Sequence, residues 1–461
     1  MKKILILLSL CSIFGIASVK AQDEQELNKI QIYDHVVFYD GYRLADNPDS
    51  LVNDGVLRHS CSLYSRKLTD EQLDQLGKTL NLNVFITAAC DNYDRIGNVN
   101  IAFVPKGEET YNTSEVERIE IARFITPFMN KNREPNTVPY TYNIDYLSLL
   151  LRDATLRDTY DLWLEFEVFG VPYAANEQIP GCAGRSDVFQ GTLEFETDEA
   201  AEATSGNVLV PIVIKKPEYM GGNLNNYSEQ GTDTLGKTTK TYYFEVPVDV
   251  TDAQIVLITS NHGANTDGEE YNRRYHFVYY DDAQVLIYKP GRESCEPFRK
   301  YNTQANGIYG YTSKTDEQWQ SFSNWCPGDV IDNRIINLGP VEAGEHKIRI
   351  NVPAARFNGR QGDIPVSMYF HGVTEGQIAA GVSFPVADPP AMKVYADGEY
   401  FKISGNIGVE RVTVYTSLGE MIYVQNNSNP IPVSELTPGV CLVNLELENG
   451  IIETHKIMVR K

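Results

Sequence analysis

The sequence is short of basic charge: 40 lysines and arginines stand against 62 aspartates and glutamates, a formal net charge of −22 over 461 residues. That balance argues against a nucleic-acid partner, whose electrostatic footprint is built from clustered Lys and Arg. It suits a soluble exported protein. Beyond the N-terminus no stretch approaches the roughly 18 apolar residues a membrane helix needs, so no membrane insertion is expected. There is no C-x-x-C pair and no Cys/His cluster with zinc-ligand spacing. His262, Glu269, Glu270 and His276 fit no standard zinc pattern, and His276 at the start of a strand reads as a hydrogen-bonded structural histidine. No metal and no cofactor are expected.

What is present begins with a secretory signal. Lys2-Lys3 give the positive start, Ile4 to Ala17 the apolar stretch, and Val19-Lys20-Ala21 an A-x-A-like cleavage site. Residues 1–21 are therefore read as a signal peptide, the mature chain starts near Gln22, and the product is secreted or held at the cell surface after passing the periplasm. Six cysteines survive cleavage: Cys61, Cys90, Cys182, Cys295, Cys326 and Cys441. Export permits disulfides, but six cysteines allow fifteen pairings and spacing does not choose among them.

The pattern is almost all β. Short β-branched and aromatic runs recur between Gly, Pro, Asn and Asp, the signature of sandwiches rather than of βαβ units. Strands are expected at 31–39, 84–89, 98–104, 119–125, 162–169 and 192–196. A second set is expected at 208–214, 241–246, 254–259, 276–288, 346–352 and 367–371. Only two stretches read as helical: Thr69 to Leu80, opened by the capping-box pattern Thr-Asp-Glu-Gln, and Asp145 to Leu151. Small and acidic residues at 197–206 mark one seam and Ala387-Asp388-Pro389-Pro390 a second. The resulting domains are 22–203, 204–386 and a third, shorter unit at 390–461.

Five patches carry the chemistry. Asp94 lies in Cys90-Asp91-Asn92-Tyr93-Asp94-Arg95, and Ile121-Ala122-Arg123-Phe124-Ile125-Thr126-Pro127 follows. Next come Tyr160-Asp161-Leu162-Trp163-Leu164, the run Gly268 to His276 containing Glu269-Glu270-Tyr271-Asn272-Arg273-Arg274, and Asn324-Trp325-Cys326-Pro327-Gly328. In this order, over roughly residues 30–380, they resemble the peptide-N-glycosidase F family, amidohydrolases that strip whole N-glycans from asparagine. The resemblance implies an all-β fold of two adjacent antiparallel jelly-roll sandwiches with the active site at their interface, plus here a small C-terminal β-sandwich. It implies Asp94, Glu270 and Asp161 as catalytic carboxylates. Arg95, Trp163, Tyr271, Arg274 and Trp325 are then substrate-binding, and Cys295–Cys326 is a disulfide. Arg95 is expected to hold Asp94 ionised or to stabilise developing charge.

Departures accompany the match. Asp161 replaces a glutamate, which shortens its reach, and a misplacement of about 1 Å can cost about 100-fold in rate. Tyr271 stands where the family often has tryptophan, and Gly268 and Asn272 occupy the positions of a missing disulfide loop. The third unit, with Val412 to Glu420, Leu436 to Val443 and a basic finish from Lys456 to Lys461, resembles a C-terminal sorting domain of type IX secretion, the alternative being an accessory β-sandwich binding module. Partners are therefore N-glycosylated proteins and glycopeptides, with the secretion machinery engaging the C-terminal unit of a monomer. The expected activity is release of intact N-glycans, leaving aspartate. The alternatives are a glycan-binding surface protein with a degenerate site on the same scaffold, or an endoglycosidase.

Overall fold

The computed structural model describes residues 27–43, 55–213, 222–224, 239–263, 269–304, 309–310, 312–320, 324–355, 362–379, 392–405, 408–416, 421–448 and 452–460. The signal segment and the seam at 387–390 lie outside the described residues. No described helix is long and apolar enough to cross a membrane.

The molecule is built of antiparallel sheets. In the first domain one sheet runs, in spatial order, Asn28–Tyr39, Asp187–Thr197, Leu80–Ala88 and Thr137–Asn143. The other runs Val330–Ile331, Glu117–Ile125, Ile96–Pro105, Tyr160–Val168, Leu63–Lys67 and Leu57–Arg58. Alternation decides the faces. Leu162, Leu164, Phe166 and Val168 point into the apolar layer between the sheets, against Val84, Ile86, Leu193 and Phe195. Asp161, Trp163, Glu165 and Glu167 therefore share the outer face, yet all four are buried. The second domain pairs Asn207–Val213, Pro365–Val373, Asp252–Thr259 and Arg334–Asn337 in one sheet. Its other sheet orders Thr239–Val246, Gly344–Asn351, His276–Tyr280 and Ala283–Tyr288.

Two features tie the units together. Val330–Ile331, from the second half of the chain, extends the first domain's six-stranded sheet by pairing with Phe124 and Arg123. The third unit, two small sheets spanning Lys393–Val459, does not keep its apolar core to itself. Phe277 and Ile287 on the outer face of the 276–288 hairpin join Val412, Val414, Val443 and Leu445 in one cluster.

The helix expected over 69–80 is a single turn, Asp70–Leu73. Its capping box is present, with the Gln72 amide donating to Thr69 Oγ1 at 3.2 Å and the Thr69 amide to Gln72 Oε1 at 3.0 Å. It stops because Gly77 approaches the 197–199 corner so closely that a Cβ there would sit 1.9 Å from Asp198 Oδ1, and Leu80 already opens a strand. Asp145–Leu151 is helical as expected. The strand expected over 276–288 is a hairpin, turned at Asp281 and Asp282 with φ of 44° and 68°. An Asp-Asp pair adopts the left-handed turn that Asn-Gly or Asp-Gly usually signals, which is why the break was not visible. Thr137–Asn143, Leu63–Lys67 and Arg334–Asn337 are strands that patterning did not mark.

Candidate active site at the domain interface

Asp94 sits in the turn between Leu80–Ala88 and Ile96–Pro105. The turn is fixed from several sides. The Cys90–Cys182 disulfide anchors its start. The buried Asp91 carboxylate accepts from the Tyr93 amide at 2.9 Å, the Val171 amide at 2.8 Å and Arg95 Nε at 2.7 Å. Thr126 closes the far side: its hydroxyl accepts from the Arg95 amide at 2.8 Å and donates to Tyr93 O at 3.3 Å, while its own amide donates to Arg95 O at 2.8 Å. Arg95 thus spends its guanidinium on Asp91, not on Asp94, and lies over the Tyr93 ring at 5.1 Å. Asp94 keeps its carboxylate uncommitted to any described side-chain hydrogen bond. Burial first, and then the charge of Glu270, push it up to about 7, against the lowering influence of Arg95 and of its own backbone amide.

Glu270 arrives from the second domain. Its amide donates to Gly263 O at 3.2 Å, and the Gly263 amide donates to Glu270 Oε2 at 3.3 Å. Asn324 clamps the segment from behind, its Nδ2 donating to Glu269 O at 2.7 Å, Glu270 O at 2.9 Å and Asn272 O at 3.1 Å. Burial raises Glu270 above the ordinary carboxylate range, and a Tyr271 hydrogen bond opposes the rise. The neighbouring Glu269 is fully buried and faces Arg274, whereas it is the Glu270 charge that reaches Asp94. Tyr93, 49% exposed, leans edge-on against Phe128. Both Tyr93 and Tyr271 are held protonated by burial, with the Asp94 and Glu270 charges adding to it.

The Cys295–Cys326 disulfide is formed, with Cα atoms 5.4 Å apart. It anchors a small cluster of Phe128, Tyr309 and Trp319, against which Tyr271 packs. Trp325 is buried among Ile125, Ile258 and Ile331, its indole donating to Asn261 O at 2.8 Å. It supports the site from within and offers little face to a sugar. Gly328, at φ 98°, turns the chain against Pro127.

Asp161 and Trp163 are not gathered with Asp94 and Glu270. The register pairs Asp161 with Val104 and Val168 with Gly97. Asp161 is therefore at the far end of the strand, on the order of 20 Å from the Asp94 turn at about 3.3 Å per residue. There it binds Lys67 at 2.5 Å, Lys106 at 3.1 Å and the Gly107 amide at 2.9 Å, which together hold its carboxyl below the usual range although burial acts the other way. With Trp163 it lines a separate cleft of about 740 Å³. Glu167, on the same face, is the carboxylate of this strand nearest the Asp94 turn: it lies opposite Asn98, whose Nδ2 donates to it at 3.2 Å. The signal was readable, since Glu167-Val168-Phe169 repeats the acid-x-aromatic spacing of Asp161-Leu162-Trp163. Among the described residues no group of three or more His, Cys, Asp or Glu could hold a metal ion. His262 and His276 are both pushed down to about 3, chiefly by burial, and stay neutral.

Residues 29–183 match the family described as peptide-N-glycosidase F, N terminal, and residues 231–371 match peptide-N-glycosidase F, C terminal. A solved structure of PNGF-II superimposes with a TM-score of 0.53 at 19% identity, over 77% of this chain and 66% of that one. A second crystal form gives 0.52 at 18%, over 76% and 66%. The chain thus spans just under two thirds of PNGF-II, and the likeness is one of fold. PNGase F from Flavobacterium meningosepticum, described as a glycosylasparaginase, gives 0.46 at 16% identity, over 77% of this chain and 99% of that one. No curated protein matches.

Proposed function

Since the chain belongs to the peptide-N-glycosidase F family, we propose that it is a secreted peptide-N4-(N-acetyl-β-glucosaminyl)asparagine amidase acting as a monomer on N-glycosylated proteins and glycopeptides. The observation that carries this reading is the convergence of Asp94 and Glu270 from two domains, with Asp94 pushed up to about 7. Hydrolysis of the asparagine side-chain amide needs a proton taken from the attacking water and one returned to the departing nitrogen. A carboxyl that titrates near neutrality serves both steps in turn. The products are aspartate in the peptide and the intact glycan as a glycosylamine.

In this reading Asp94 moves the proton. Glu270, with the Tyr271 hydroxyl bonded to it, orients the water or the amide from the opposite wall. Arg95 holds the turn through Asp91, and the half-exposed Tyr93 ring offers a sugar platform at the mouth. Glu167 replaces Asp161 as the third acid of the cleft, and Asp161 with Trp163 serves the far end of the domain. The third unit is read as a sorting domain for type IX export. Incubation of the purified protein with a denatured N-glycoprotein, followed by weighing the peptide, tests the activity. Aspartate at the glycosylation site means an amidase, a retained N-acetylglucosamine an endoglycosidase, and an unchanged glycopeptide a binding protein.

A further inference from the structure

Arg123 has no role in the chemistry just described, yet it is completely buried at the contact between the two domains. A guanidinium carries five N–H donors, and each finds a partner here. Nε and Nη2 bond the Glu120 carboxylate at 2.8 and 2.7 Å. Nη1 bonds Ser260 Oγ at 2.9 Å and Pro365 O at 3.0 Å, and Nη2 bonds Ser367 Oγ at 3.3 Å. The first two bonds stay within its own strand and the last three cross into the second domain. Ser260 passes the contact on. Its oxygen accepts from Arg123, which leaves its own O–H to donate to the neutral His262 Nε2 at 2.7 Å. The next residue, Gly263, is the one that exchanges hydrogen bonds with Glu270. Three residues beyond Arg123 on the same chain, Thr126 embraces the turn that carries Asp94.

We propose that the Arg123–Thr126 segment is a positioning clamp that sets the separation of the two carboxylates: Thr126 fixes the Asp94 turn within the first domain, and Arg123 reaches through Ser260 to fix the Glu270 loop of the second. Arg123 and Ser260 touch no substrate; they act through Glu270. The inference rests on the amidase reading for its kinetic test but not for its structural one. The loop has a second anchor, since the His262 backbone exchanges hydrogen bonds of 2.8 Å with Asp363, so the clamp makes a claim that the backbone bridge alone does not.

Ser260→Ala and Ser367→Ala separate the two. Each deletes one buried hydroxyl from the same guanidinium, but only the strand of Ser260 leads on to Gly263 and Glu270. The clamp requires Ser260→Ala to lower kcat at least about tenfold with little change in KM, since a misplacement of about 1 Å can cost about 100-fold. Ser260→Thr, which keeps the hydroxyl, restores most of that loss, and Ser367→Ala leaves kcat within about twofold. The pH profile gives a second readout. The charged and titratable groups facing Asp94 are Glu270, Arg95, Asp91, Tyr93 and Tyr271. A Glu270 that swings away lowers the acidic midpoint in Ser260→Ala only. Hydrogen exchange at the Glu270 and Gly263 amides reads the clamp without any substrate. Protection is lost in Ser260→Ala and kept in Ser367→Ala, even if the protein proves to have no amidase activity. Equal kcat, midpoint and protection in the two alanine variants overturn the proposal, because the bridge to Asp363 then suffices.

Discussion

Replacing Asp94 by asparagine removes a carboxylate that the fold presses well away from its ordinary behaviour, and the consequences for chemistry and stability point in opposite directions. Its carboxyl ionises near 3.8 in an open chain but at about 7 in the folded protein, because burial and then Glu270 disfavour the charged form. A raised carboxylate stabilises the fold only while it is protonated. Between about pH 4 and pH 7 the unfolded chain gives up this proton and the folded one keeps it, so stability falls as pH rises through that window and stays low above it. At 1.36 kcal/mol per pH unit the full span is about 4 kcal/mol, an upper bound for a group that solvent partly reaches. Between about pH 5 and pH 8 the loss attributable to Asp94 is of order 1–3 kcal/mol. An asparagine of nearly the same shape escapes it. Urea denaturation of both proteins across this range is the assay. Asp94→Asn gains stability on wild type as pH rises, while its glycan release falls by at least about 10²–10⁴-fold, the ordinary contribution of a positioned acid or base. Two stability profiles that stay parallel across the range refute the buried-carboxylate argument, and turnover above about a tenth of wild type removes Asp94 from the mechanism.

Glu270→Gln is expected to lower activity strongly and to move the acidic limb of the pH–rate profile below about 7, since the larger of the two charges raising Asp94 is gone. Glu269→Gln leaves the limb in place and shows its effect in urea denaturation, because that side chain is buried against Arg274. Asp161→Asn keeps turnover within a few fold and costs about 1 kcal/mol or less by denaturation, as both lysine partners are partly exposed; Glu167→Gln loses more activity than Asp161→Asn, and the reverse order would return Asp161 to the cleft. A chain ending at residue 379 uncovers Phe277 and Ile287, so its midpoint in urea drops by the equivalent of a few kcal/mol at about 1.5–3 kcal/mol per side chain; an unchanged midpoint would make the third unit freely detachable.

How far the site was legible follows from where its parts sit along the strands. The Asp94 turn and the 121–127 segment are strand ends, where local sequence dictates the hydrogen bonds: Asp91, Tyr93, Arg95 and Thr126 all lie within the quoted motifs, and Cys295–Cys326 joined on the family pairing. Asp161 could not be placed this way. Its strand carries acids at 161, 165 and 167 on one face, and only the register with 96–105 says which of them reaches the Asp94 end. Register is a long-range property, fixed by which residues of a distant strand lie opposite. The same holds for Ser260 and Ser367, unremarkable serines until a guanidinium from the other domain lands on them. Trp325 shows the opposite error, an aromatic read as a sugar platform that the fold spends on packing and on one bond to Asn261.

The placement of the site explains why so much of it is buried polar structure. A cleft assembled from the sheets of two domains shares only a short stretch of backbone between them, so side chains help to set the distance between its carboxylates. A buried ion pair such as Arg123–Glu120 is a costly way to gain stability, because desolvating both charges offsets most of their attraction. It is an effective way to fix geometry, because a guanidinium with all five donors used tolerates only one arrangement of its partners. The edge pairing of Val330–Ile331 with Phe124 and Arg123 adds a backbone register to the same junction. The two together put the conformational precision of the molecule where the two acids meet, while the far end of the same sheet, around Asp161, is held by lysines that solvent still reaches.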